Sequence, residues 1–133
     1  MYDRIENPAE MKDLLGQIIT KIEGKKGDGE IVFHLQDGRK FVMYHEQDCC
    51  EMVEVEDICG EWEDLIGLPI LISEEVSNAP KLSAKYHEKY DYTDESFTWT
   101  FYKLSTNRGA VTIRWYGSSN GYYSERVDLK WGN

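Results

Sequence analysis

The 133-residue chain lacks several things. No apolar run approaches the roughly 20 residues needed to cross a bilayer. The N-terminal run MYDRIENPAEMKDLL is charged and has no apolar centre of the signal-peptide kind. Together these predict a cytoplasmic protein with no membrane partner. Proline is scarce, with three residues, so most of the chain is able to join β-ladders. Cysteine is scarce and odd in number, with Cys49 and Cys50 adjacent. That is a poor disulfide framework and fits a reducing compartment.

Positive charge is missing from a long window. No Lys or Arg lies between Lys40 and Lys81. The window holds Glu46, Asp48, Glu51, Glu54, Glu56, Asp57, Glu61, Glu63, Asp64, Glu74 and Glu75. The whole chain carries a formal charge of −10 and a pI near 4.7. Phosphate binding rests on clustered Lys and Arg, so direct contact with nucleic acid is not expected. The C-terminal part reverses the balance, with Lys103, Arg108, Arg114, Arg126 and Lys130, which predicts an electrically lopsided molecule.

What is present is aromatic and β-prone. Aromatic residues make up 13% of the chain and hydrophobic ones 41%, enough for a packed core in one domain over 1–133. Asn7 and Pro8 read as the cap and first position of a short helix with Met11, Leu14 and Leu15 inside, stopped by Gly16. Strand patterns follow at Ile18 to Ile22, Ile31 to Leu35 and Phe41 to Tyr44, with Asp37-Gly38 as a hairpin turn. Met52 to Ile58 and Ile70 to Val76 are two more, around a short helix at Glu61 to Ile66. The polar stretch Asn78 to Thr93 reads as a long loop, with His87 exposed on it.

The last third predicts an antiparallel three-stranded meander: Phe97 to Leu104, Val111 to Tyr116 and Tyr122 to Leu129, joined by STNRG and GSSNG. Strand side chains alternate between faces. One set reads Phe97, Trp99, Phe101, Val111, Ile113, Trp115, Val127, Leu129 and Trp131, and is expected as core. The other reads Thr98, Thr100, Tyr102, Thr112, Arg114, Tyr116, Tyr122, Ser124 and Arg126. Arg and Tyr together suit a planar or anionic ligand or a protein contact; equally, Thr and Tyr are simply good strand formers. The fold class expected is α+β: a mainly antiparallel twisted sheet or small barrel with one or two short helices.

The run YHEQDCCEMVEVEDICG (Tyr44 to Gly60) raises three chemistries. A zinc site would use His45, Cys49 and Cys50 with Cys59 or Asp48, but adjacent cysteines on a strand point to opposite faces. The alternative is that one of that pair, together with Cys59, fills core. A hard-metal hydrolase site would use His45, Asp48, Glu51 and Asp57, a set without regular loop spacing. A thiol nucleophile would pair Cys49 or Cys50 with His45 or His34, and Asp48 and Glu51 would suppress its thiolate. No phosphate-cradling loop, serine elbow or HExxH is present.

The runs MYHEQDCCEMVEVEDICG and TFYKL…VTIRWYGSSNGYYSERV resemble an uncharacterised family of small phage and prophage proteins, over roughly Leu15 to Leu129. The resemblance implies a phage accessory protein acting on its host, including host defence, and carries no catalytic residue. The resulting expectation is a non-catalytic protein, without cofactor or metal. It would bind a small polar ligand, such as a nucleotide-like defence signal, or a host protein. The residues expected to do so are Arg114, Tyr116, Asn120, Tyr122, Tyr123 and Arg126, with His45 and Asp48 at the rim. The rival expectations are an acidic nucleic-acid mimic that inhibits a host enzyme, and the metal-dependent hydrolase.

Overall fold

The computed structural model describes residues 7–47, 51–77, 96–119 and 125–132. Eight strands run in order: β1 (Ile19–Glu23), β2 (Glu30–Leu35), β3 (Lys40–Tyr44), β4 (Met52–Cys59), β5 (Ile72–Ser77), β6 (Ser96–Ser105), β7 (Ala110–Ser119) and β8 (Asp128–Gly132). They form two four-stranded sheets, ordered β1-β2-β3-β8 and β4-β7-β6-β5. Every strand pairing is antiparallel. The described chain is thus a β-rich fold of two open sheets; neither closes into a barrel.

The pattern of β2 explains its place. Ile31, Phe33 and Leu35 are buried while the residues between them are not, the two-residue period of a strand with one face on a core. The β2–β3 turn is the one Asp37-Gly38 predicts. Gly38 has φ +95°, a left-handed conformation that glycine takes without a Cβ clash. The Asp37 carboxylate accepts from the Arg39 backbone N–H at 3.0 Å. On the core face of the hairpin, the cross-strand partners Phe33 and Phe41 meet edge to face with centroids 6.1 Å apart. Val111, Ile113 and Trp115 of β7 and Leu104 of β6 join the same cluster, and Leu14, Leu65 and Ile70 complete it.

Both short helices are single 3-10 turns, at Met11–Leu14 and Trp62–Leu65. The first differs from the expectation in its start. Asn7 has φ +54° and is no cap. Pro8 bridges to Lys130, and the turn begins after Glu10, whose N–H donates to the Asp13 carboxylate at 2.9 Å. So short a segment gains too few hydrogen bonds to nucleate an α-helix.

Two features of the expected meander are corrected. Residues directly opposite in an antiparallel pair share a face. Trp99 pairs with Tyr116, and Phe101 with Arg114. Trp99 and Phe101 therefore lie on the outer face, while Thr100 and Tyr102 turn to the core and are buried. The cause is the connection: Ser105 pairs with Ala110, leaving an even-numbered loop of residues 106–109. That loop sets odd positions of β6 against even positions of β7. It is held by Thr106, whose N–H donates to Gly109 O and whose hydroxyl donates to Asp64 O. The second correction concerns the third strand. β8 leaves the β6–β7 hairpin and pairs with β3 in the other sheet, Trp131 opposite Phe41.

Candidate functional site

At the end of β3 the chain turns inward and buries an unusual polar cluster. The His45 and Glu51 side chains are only 4% and 0% exposed. His45 Nδ1 lies 2.7 Å from the backbone carbonyl of Arg126. A carbonyl only accepts, so Nδ1 carries a proton. Nε2 lies 2.6 Å from the Glu51 carboxyl, and one further proton is shared between them. The pair is therefore either imidazolium with carboxylate or two neutral groups, and both are hydrogen-bonded.

Two more carboxylates are buried nearby. Glu125 accepts from the Ser119 hydroxyl at 2.6 Å and from Thr98. Its backbone lies over Gly117, where a Cβ would stand 2.8 Å from Glu125 O, so only glycine fits there. Asp128 accepts from the Glu46 N–H at 2.8 Å and from Arg126 Nε at 3.3 Å. Buried charges persist when each is paired or hydrogen-bonded, which holds for all three. The start of β8 is thereby clamped twice by the end of β3: His45 on the carbonyl of Arg126, Glu46 on the side chain of Asp128.

Beside this clamp lies a cleft of about 260 Å³. Residues 8–11 form one wall, residues 126–129 the other, and Glu75 of β5 closes the side. The Arg126 side chain is 71% exposed. Glu75 is exposed by area, yet its carboxyl stands against the cleft wall. Desolvation raises its pKa, and the Arg126 charge partly offsets this. Beside Glu75 on the inner face is its cross-strand partner Tyr102. Burial, with Glu75 and Asp128 behind it, raises that phenol, and its hydroxyl has no hydrogen-bond partner among the described residues. Tyr44 is pushed up to about 12 by burial and by Glu46 and Asp128.

The outer face of the second sheet is a different kind of surface. Arg114 Nε donates to Glu56 at 2.7 Å, and Asp57 lies 3.9 Å away. The guanidinium sits 5.2 Å from the Trp99 ring, and Trp99 meets Tyr116 at 4.7 Å. It is a tilted aromatic pair, 56° between ring planes, beside a cation that already has a carboxylate.

The structure thus divides the residues expected to form one site. His45 and Arg126 come together at the cleft end. Arg114 and Tyr116 come together on the opposite side of the second sheet. Asp48, Asn120, Tyr122 and Tyr123 lie outside the described residues, as do Cys49, Cys50 and His87. The hydrolase set is divided as well. His45 meets Glu51, but Asp57 faces outward beside Arg114. No group of three or more His, Cys, Asp or Glu side chains that could hold a metal ion gathers among the described residues. Cys59, expected as core filler, is exposed at the end of β4. His34 is bonded to Glu23 at 2.9 Å, and this bond, with Lys21, lowers the Glu23 pKa. Sequence reasoning missed Glu75, Glu125 and Asp128. Nothing in one dimension marks them, because their meeting depends on β8 changing sheets.

A family model described as a domain of unknown function (DUF7448) matches residues 12–129. The chain belongs to that family. No curated protein and no solved structure matches it. No helix among the described residues is long and apolar enough to cross a membrane.

Proposed function

We propose that this protein is a non-catalytic binding domain whose cleft beside Arg126 takes a small polar ligand. The observation that carries the reading is the convergence of one exposed guanidinium, Arg126, and three carboxylates, Glu10, Glu75 and Asp128, on a single small cleft. Arg126 Nε donates to Asp128 at 3.3 Å, and its 71% exposed guanidinium stands at the cleft, where it attracts a phosphate or carboxylate. Glu75 offers an acceptor to a hydroxyl or amine, and Val127, Leu129 and Met11 supply apolar wall. A ligand with an anionic group and a polar body, such as a nucleotide, fits this set. The buried His45–Glu51 pair supports a binding role over a catalytic one, because a general base must reach its substrate. Its part is to hold the backbone of Arg126.

The phage setting, and the idea that the ligand is a host defence signal held out of reach, rest on the sequence resemblance alone. The nucleic-acid mimic is the less favoured reading. The acidic window does not line up as a rail: Glu51 is interior, Glu56 is paired with Arg114, and Glu75 borders the cleft.

Thermal shift against a nucleotide panel, followed by calorimetry of the hits, tests the proposal. Arg126→Ala is expected to abolish the heat of binding, with only a small fall in melting temperature from the lost contact on Asp128. Arg114→Ala is expected to leave binding intact. A panel that leaves the melting point unmoved, or binding lost with Arg114 and kept without Arg126, overturns it.

A further inference from the structure

Open sheets have edges, and an edge strand presents unpaired N–H and C=O groups that invite another chain. The two sheets here have four edges, and three carry a visible guard. β8 is covered by the N-terminal segment: Ala9 N–H donates to Leu129 O at 3.0 Å and Trp131 N–H to Asn7 O at 2.8 Å. β4 is covered by the β1–β2 connection, where Gly27 N–H donates to Val55 O at 2.7 Å and Val55 N–H to Asp28 O at 2.8 Å. It also carries a register shift between Val55 and Asp57. β1 is broken by a register shift between Ile19 and Lys21 and is bridged at Ile19 to Ile66.

Among the described residues β5 has no such backbone cover; the Ser73 hydroxyl alone reaches the N-terminal segment, donating to Met11 O at 2.5 Å. It pairs with β6 in unbroken register from Ile72 to Ser77. Its sequence ISEEVS contains no proline and no lysine. Five of its six residues are exposed, Ile72 at 45% and Val76 at 41%. Among the described residues no backbone hydrogen bond reaches it from the outer side. An edge strand this exposed is one that proteins ordinarily cover or twist away.

We propose that the edge of β5, which no described backbone segment pairs with, is a strand-addition site for an extended segment of another protein, one that carries lysine or arginine. Backbone pairing supplies the affinity in this mode, and alternate side chains supply the choice of partner. The charge pattern selects the occupant. Glu74 and Glu75 sit at the centre of the strand, one on each face. A second copy of β5 laid alongside would set carboxylate against carboxylate in every central register, and like charges directly opposite are destabilising. A basic strand would set cations there and rest its apolar residues on Ile72 and Val76. The site is separate from the ligand cleft; only Glu75 borders both.

The test uses the full chain and the synthetic peptide Ser-Val-Lys-Lys-Ser-Val, which laid antiparallel on β5 sets its lysines opposite Glu74 and Glu75 and its valines opposite Ile72 and Val76. Controls are the counterpart with two glutamates in place of the lysines and the lysine peptide N-methylated at alternate residues. Fluorescence anisotropy should show the lysine peptide binding at least about tenfold tighter than either control. Amide hydrogen exchange should slow within residues 72–77 and not in β1 or β8. Glu74→Lys, an exposed change checked for an unaltered melting point, should weaken binding by about tenfold. Binding by the N-methylated peptide as tight as by its parent, or protection elsewhere with none in β5, overturns the proposal. So does a concentration-dependent dimer in which residues 72–77 are protected without peptide.

Discussion

Two carboxylate pairs make the most useful comparison in this molecule. His45–Glu51 and Arg114–Glu56 both join a basic side chain to a glutamate at hydrogen-bond distance. The first is sealed, at 4% and 0% exposure; the second is 38% and 36% exposed. Water sets the difference. A pair at the surface competes with solvent and is worth little, whereas a buried group that loses its partner keeps the whole desolvation penalty. The pair that most resembles an active-site dyad is therefore a structural clamp. The pair that most resembles a ligand-binding arginine is a satisfied surface contact.

Breaking the sealed pair should have the largest effect. His45→Ala strands Glu51 in the interior and frees the Arg126 carbonyl, and should cost about 3–5 kcal/mol in urea unfolding. It should also loosen β8, read as faster amide exchange at residues 128–132. Arg114→Ala should cost only about 1 kcal/mol, from a screened ion pair and a cation–π contact on Trp99. Equal losses from the two substitutions would collapse the comparison.

A smaller effect sharpens it. Glu75 has a raised pKa in the fold because its carboxylate is desolvated at the cleft. The folded state then holds the proton more tightly than the unfolded chain does. Stability from this group rises as pH falls from its raised pKa towards the ordinary carboxylate value, and is lowest above the raised pKa. Glu75→Gln should stabilise the protein slightly near neutral pH, with the gain vanishing in acid. Melting temperatures of both chains across that range check it. A gain that grows in acid would mean that Arg126 dominates and the carboxylate is held in its charged form.

Much of the fold is legible in the residues themselves. The β2–β3 hairpin follows from alternation on both sides of Asp37-Gly38, and the strand at Met52 from its valines. The candidate site was legible only in part. Arg126 and His45 stand out as residue types, but their meeting across the start of β8 does not. The faces of β6 were misread because aromatic and hydroxyl residues occur at both parities. Phe97, Trp99 and Phe101 are as hydrophobic as any core row, and only the even loop at residues 106–109 decides that Trp99 and Phe101 face out.

What the sequence by itself determined is local: two-residue periodicity, the turn residues, the acidic window, and an aromatic content sufficient for a β core. Those properties depend on a residue and its near neighbours along the chain. The tertiary structure alone decided which strand joins which sheet, which glutamates lost their water, and which edge no described segment covers. Each of these depends on contacts between residues far apart in the chain, and their energies exist only once the sheets have met.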